Sequence, residues 1–369
     1  MFFQSQANGN RADVSVKASV SNKLEFAGLD VLRLVACFSV LLYHFTFRGS
    51  ARDGMSTFSI PSIHFVSKYG FLGVNLFFII SGFVIAYSAA NRTAKHFFFS
   101  RFVRIYPAFI VCMLLSFITI FLFGGPEIQV TFPQLVANTI IVSPALHQKF
   151  VDGAYWSIVC ELIFYGWVFL FKLVGVFDKR MIGILLTWVL ISLLNELVIH
   201  STALSWVLIT KYSGFFALGV LLYHGRFYGW SAQTILIIMI SFALSILQTS
   251  DDIYYHSQYY QDTMFSTKVG MLICLAMTLT VATVVVFEDC RHRRGLFLLI
   301  GGITYPLYLI HQNIGYIALN KINIGLPAAV ILLMVSSSLV VGSWIIWRFI
   351  ERPAQKFLKS KLALSARVT

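Results

Sequence analysis

Residues Leu29–Phe47, LDVLRLVACFSVLLYHFTF, carry Asp30, Arg33 and His44 inside a stretch apolar enough to enter a bilayer. At ~100° per residue, Arg33 and His44 fall on nearly one helix face, roughly 16 Å apart along the axis. Ionisable groups in a membrane span are costly and turn towards a protein interior or a wet cavity. A cation and a titratable imidazole aligned at two depths therefore suggest a polar path across the membrane. The alternative is structural: Arg33 snorkels to the headgroups and pairs with Asp30, while His44 marks the far interface.

Other segments add chemistry of the same kind. In RFVRIYPAF, Arg101 and Arg104 are three residues apart and share a helix face, where two guanidiniums can grip phosphates. An anchor on anionic lipid is the commoner use of such a pair. Glu161, in YWSIVCELIFY after Trp156 and Ser157, is an acid near one end of an apolar span; a structural ion pair would also explain it. His311, in TYPLYLIHQ with Tyr305, is a helix-interior histidine that could equally be a packing residue, in a span that Pro306 should kink. GVNLFFIISGFVI sets Asn75 in the membrane with Ser81 and Gly82, small residues that favour close helix packing. Lys211 has no obvious partner in sequence.

The elements that must position these groups are helices in a membrane. The chain has 369 residues, 58% of them hydrophobic and 12% charged, with a mean hydropathy of +0.80. These values fit a polytopic membrane protein rather than a soluble domain. The net charge of +13 could suggest nucleic acid, but the cations sit in short loops between apolar spans, so membrane orientation accounts for them and no nucleic-acid partner is expected. The five cysteines form no CxxC or Cys/His spacing, so neither a disulfide framework nor a metal site is expected.

Ten stretches are long enough to span: 29–47, 70–90, 105–123, 155–177, 181–199, 204–223, 230–248, 268–287, 296–319 and 326–350. With the N-terminus inside, nineteen lysines and arginines fall in inner segments and six in outer loops, which puts both termini in the cytoplasm. Residues 1–28 read as a polar cytoplasmic tail without the apolar core of a cleavable signal, 29–353 as the membrane domain, and 354–369 as a basic cytoplasmic tail. The outer segment 124–154 contains LVANTIIV, a candidate interfacial helix. The outer segment 248–267 gathers tyrosines and acids that suit sugar contact or an interfacial belt. In this frame Arg33, Arg101 and Arg104 lie on the inner side, and His44, Glu161 and His311 in the outer half.

The chain resembles the bacterial membrane acyltransferases of acyltransferase family 3 from Leu29 to Pro353. The resemblance rests on LDVLRLVACFSVLLYH, GVNLFFIISGFVI, RFVRIYPAF, YWSIVCELIFY and TYPLYLIHQ in that order, followed by ERP at Glu351–Pro353. It implies an all-α inner-membrane enzyme that moves an acyl group, usually acetyl, from cytoplasmic acyl-CoA to a hydroxyl of an extracytoplasmic polysaccharide or glycan. It implies that Arg33, Arg101 and Arg104 hold the CoA, and that His44, Glu161, Tyr305 and His311 belong to the catalytic motifs. Asn75 stands where relatives often carry an acid, and Leu162 where a second acid often follows. Some relatives carry an appended soluble esterase-like domain; its absence here favours direct transfer.

The expected chemistry has His44 as general base, Glu161 orienting or charge-balancing that imidazole, and His311 binding acceptor or stabilising the oxyanion. Ser81, Ser157 and Tyr305 remain open as acyl carriers. A proton-coupled transporter or flippase using Arg33, Lys211, Glu161 and His44 as a relay is the rival reading, though no inverted repeat is visible. A small secreted molecule is the alternative acceptor. Association into a homo-oligomer is left open.

Overall fold

The computed structural model describes residues 26–51, 54–90, 92–261, 265–288, 295–322 and 325–365. The tail up to residue 25 lies outside them. So do Arg11, Lys17, Lys23, Arg52, Arg291, Arg293, Arg294 and Arg367, all of which entered the orientation count.

Every regular element among the described residues is a helix. In chain order the principal ones are α1 Ala27–Leu42, α2 Gly73–Ala89, α3 Ala94–Phe123, α4 Phe132–Asn138, α5 Trp156–Leu173, α6 Phe177–Leu194 and α7 Thr202–Val207. Then follow α8 Ser213–Tyr228, α9 Ala232–Tyr260, α10 Thr267–Phe287, α11 Gly295–Ile310, α12 Gln312–Lys321, α13 Ala328–Ile346 and α14 Arg352–Ser365. Several starts are set locally: the Thr93, Ser201 and Ser231 side chains accept from backbone N–H groups three residues on, and Thr131 with Gln134 forms a capping box.

Eight helical stretches among the described residues are long and apolar enough to cross a membrane. The other two expected spans are divided. Segment 204–223 becomes α7 and α8, and 296–319 becomes α11 and α12, which part at His311. α11 runs through Pro306 and stops only at Ile310. Segment 248–267 is not the loop expected, since α9 stays helical to Tyr260. The basic tail after Pro353 is helical too: α14 follows a π-helical turn, Trp347–Glu351, and packs against α3. Within 124–154, the short helix α4 covers the first half of the apolar stretch.

The most extensive helix contact is between α2 and α8. A Cβ on Gly82 would lie 2.1 Å from the Phe216 carbonyl oxygen, and one on Gly219 2.0 Å from that of Ile79. The two backbones therefore touch where each helix lacks a side chain, as the small residues of α2 led one to expect. α1 packs against α2 and α11, so its inner faces look onto the helices that carry Asn75, Tyr305 and Tyr308.

Candidate active site

Two cavities are set end to end along α1. The larger, about 1160 Å³, is lined by Arg33, Arg101, Arg104, Glu161, Ser157 and Tyr305 among others. The smaller, about 370 Å³, is lined by His44, Asn75, Trp156, Lys211 and the acids and tyrosines of α9. Val74 and Tyr308 belong to both walls. Arg33 and His44 thus line different, adjoining cavities that share Val74 and Tyr308.

The large cavity is strongly basic. Among the described residues eight lysines and arginines line it, against Asp30 and Glu161. Arg33 donates to Asp30 at 3.3 Å, and Asp30 is buried. A Cβ on Gly301 would lie 2.7 Å from Asp30 Oδ1, so the glycine lets α11 pass this close to the pair. Arg104 donates to buried Glu351 at 3.2 Å. Arg101 lies beside it in the same wall, with Tyr165 near. The side-chain partners of Glu161 are here as well: Ser81 donates to it at 2.8 Å, and Tyr165 donates to the same oxygen. The expectation that Glu161 orients His44 is thereby corrected, because the acid sits among the arginines on the other side of Tyr308. Tyr305 is on this side too, with its hydroxyl donating to the Ile105 carbonyl at 3.3 Å.

His44 stands in a π-helical turn, Tyr43–Arg48, that continues α1; such widened turns recur at functional sites. Its Nδ1 is 2.8 Å from the Val40 carbonyl oxygen, which assigns the ring proton to Nδ1. Nε2, the remaining basic nitrogen, is buried, and Gln312 is the side chain within bonding reach of the ring. His311 packs behind it, ring centroids 4.9 Å apart, with its Nε2 3.4 Å from His44 Nδ1 and its own Nδ1 2.7 Å from the Tyr308 carbonyl. His311 lines neither cavity. It supports the His44 ring instead of reaching acceptor or oxyanion as expected.

Between the cavities, Tyr308 and Ser157 hydroxyls lie 2.7 Å apart, and Ser157 also donates to the Ala154 carbonyl at 3.1 Å. Trp156 faces the smaller cavity beside the Tyr212 ring, 5.3 Å away. Lys211, expected near the middle of a span, lies in the turn between α7 and α8 and lines the same cavity as Glu196, Asp251 and Asp252. Asn75 shares that lining.

Sequence reasoning missed Asp152. Its carboxylate accepts from Ala154 N at 2.9 Å and from Asn313 N at 3.0 Å, tying the start of α5 to the first turn of α12 beside His311. Burial raises its carboxyl to about 6, against the opposing pull of those two N–H groups and of Arg48. An aspartate immediately before the helical turn Gly153–Tyr155 that leads into α5 is a readable cap; its second bond, 161 residues away, is not. The junction position of Tyr308 was likewise invisible, as was Gln312, buried beside His311 and within bonding reach of His44.

A model for an acyltransferase domain, that of acyltransferase family 3, matches residues 26–348. The chain belongs to acyltransferase family 3. Acyltransferase MdmB of Streptomyces mycarofaciens is 30% identical to this family 3 chain over 107 residues. That alignment spans 27% of the chain and 28% of the relative's length. No solved structure matches the chain. The family match runs from α1 through α13 and ends just before α14, so it takes in the whole lining of the smaller cavity and most of that of the larger.

Proposed function

We propose that this protein is a multi-pass O-acyltransferase of the bacterial inner membrane. It would move an acyl group, acetyl by default, from cytoplasmic acyl-CoA to a hydroxyl of an extracytoplasmic polysaccharide or glycan. The observation that carries this reading is the pairing of a large basic cavity with a smaller histidine-bearing one across a shared wall of Val74 and Tyr308. Guanidiniums and ammoniums suit the phosphates of CoA through charge-assisted bonds. The smaller cavity, with its tyrosines, Trp156, Asn75 and carboxylates, suits a hydroxylated ring that stacks and hydrogen-bonds.

In this mechanism the donor lies in the basic cavity with its phosphates on Arg101 and Arg104 and its thioester at the Tyr308 wall. His44 Nε2 takes the proton of the acceptor hydroxyl as that oxygen attacks the thioester carbonyl carbon. The C–S bond breaks, an ester forms, and the leaving sulfur recovers the proton from the imidazolium. The Val40 carbonyl holds the productive tautomer, and His311 holds the ring in place. With the Ser157 hydrogen on the Ala154 carbonyl, the Tyr308 hydroxyl at the junction is the one that would turn from Ser157 to donate to the oxyanion.

The test is whether purified protein consumes acetyl-CoA without an ion gradient, and whether glycans of cells carrying it are heavier by acetyl groups than those of cells lacking it. Acetyl-CoA consumption with a glycan mass shift is expected. Failure of both, alongside gradient-driven uptake of a polar solute, would replace this reading with a transporter. A shift confined to a small secreted molecule would change the acceptor and leave the mechanism.

A further inference from the structure

The family match stops at residue 348, yet the basic cavity does not. Its wall is completed by α14, which contributes Arg352, Gln355, Lys356 and Lys359. Positions 352, 356 and 359 are one and two turns apart and share one face of the helix. That face turns inward because Glu351, buried at the end of the π-helical turn, accepts from Arg104 at 3.2 Å and from Gln355 at 2.8 Å. The helix is thereby fixed to α3, the helix that carries Arg101 and Arg104.

An amphipathic basic helix that merely lay on anionic lipid would present its cations to headgroups. Here the arrangement is the reverse. Lys356 and Lys359 line the cavity while Phe357, on another face, is 60% exposed. The burial is graded as well: Arg33, Arg101 and Arg104 are half-buried, whereas Lys95, Lys356 and Lys359 are exposed. The last three are cavity-lining cations at its mouth.

We propose that Lys356 and Lys359 of α14 form an anion subsite at the mouth of the basic cavity, which takes the phosphate-bearing nucleotide end of the donor. This rests on the acyl-CoA reading above and deepens it. The deeper arginines would then serve the phosphates nearer the pantetheine arm, which must run inward to the Tyr308 wall. Binding at the mouth is electrostatic and water-exposed, so it weakens with salt.

The experiment compares CoA with S-acetylpantetheine, which has the thioester and lacks the nucleotide and its phosphates. Full-length protein in neutral-lipid nanodiscs is titrated with each at two salt concentrations. The variants are Lys356→Gln with Lys359→Gln, the same pair changed to Arg, and Lys361→Gln. Lys361 is on the same helix, outside the cavity lining, with its Nζ 5.7 Å from the Phe357 ring centroid. The glutamine pair should weaken CoA about tenfold, as two exposed charge contacts predict. S-acetylpantetheine binding should be unchanged, the arginine pair should bind CoA as the unaltered protein does, and Lys361→Gln should stay within about twofold.

Equal CoA affinity in the glutamine pair and the unaltered protein would overturn the subsite and leave the donor reading standing. An equal loss in Lys361→Gln would also overturn it, as bulk electrostatics of the helix. No CoA binding by the unaltered protein would overturn the donor reading, and the subsite with it.

Discussion

His44 carries the sharpest expectation at the scale of single residues. Its ring is buried, bonds the Val40 carbonyl and packs on His311, so replacing it should cost chemistry and some stability as well. His44→Ala should lower the transfer rate by roughly 10²–10⁴-fold, the usual worth of a general base, in protein that still folds but melts lower because of the cavity left behind. Turnover near the original level would remove the base assignment. Arg101→Ala with Arg104→Ala should chiefly raise KM for acyl-CoA. Arg104 has a second role, because it neutralises Glu351, which is 1% exposed. Arg104→Gln alone should therefore destabilise by about 1–2 kcal/mol, less than for a fully buried pair because the arginine is partly in water. Adding Glu351→Gln should restore most of that loss, and melting of the three variants checks it. Which residues line the cavities was legible here: Arg33, Arg101, Arg104 and Glu161 fall in the larger one and His44 in the smaller. Their partners were not, because Glu161 meets Ser81, eighty residues away, rather than the histidine.

Helix junctions decide the geometry at the scale of elements. Asp152 joins α5 to α12, and its raised carboxyl makes that joint sensitive to pH. The folded state holds the proton up to about 6, whereas the unfolded chain releases it near 3.8. The folded state therefore binds more protons at this carboxyl between these values, so its contribution to stability is greatest below about pH 4, falls as pH rises, and levels off above about 6. A shift of about two units corresponds to roughly 3 kcal/mol. Asp152→Asn should flatten that slope in melting curves taken from pH 4 to 7, while lowering stability at pH 4 by about 1 kcal/mol through one lost backbone bond. An undiminished slope would place the titrating group elsewhere. The α2–α8 contact makes a second prediction. Gly82→Ala or Gly219→Ala must push two backbones apart, at a cost of about 1–3 kcal/mol each as overpacking, read as lower yield and melting temperature. Small residues in an apolar span made close packing legible on one helix, but not which helix would meet it.

For the whole molecule the consequence is a division of labour between two cavities. The proposed donor side is large and cationic, the other small, aromatic and mixed in charge, and Val74 and Tyr308 line both. Narrowing that boundary should uncouple the sides. Val74→Phe is expected to lower the rate of transfer by about tenfold or more while leaving CoA affinity within about twofold. A parallel loss of CoA affinity would mean that the wall is part of the donor site rather than the passage.

The sequence by itself determined the class of molecule and the cast of residues. Apolar stretches of bilayer length, cations gathered between them and a handful of ionisable groups inside them follow from local composition, which any reader of the chain can see. Local caps and small-residue helix faces are of the same kind. Only the tertiary structure decided that Glu161 sits with the arginines, that His311 stands behind His44, that α9 carries its tyrosines and acids on a helix, and that the basic tail bends back as α14 to wall the larger cavity. The reason is physical. A helix's period says which residues share its face, but which neighbour that face meets is set by packing between segments a hundred or more residues apart.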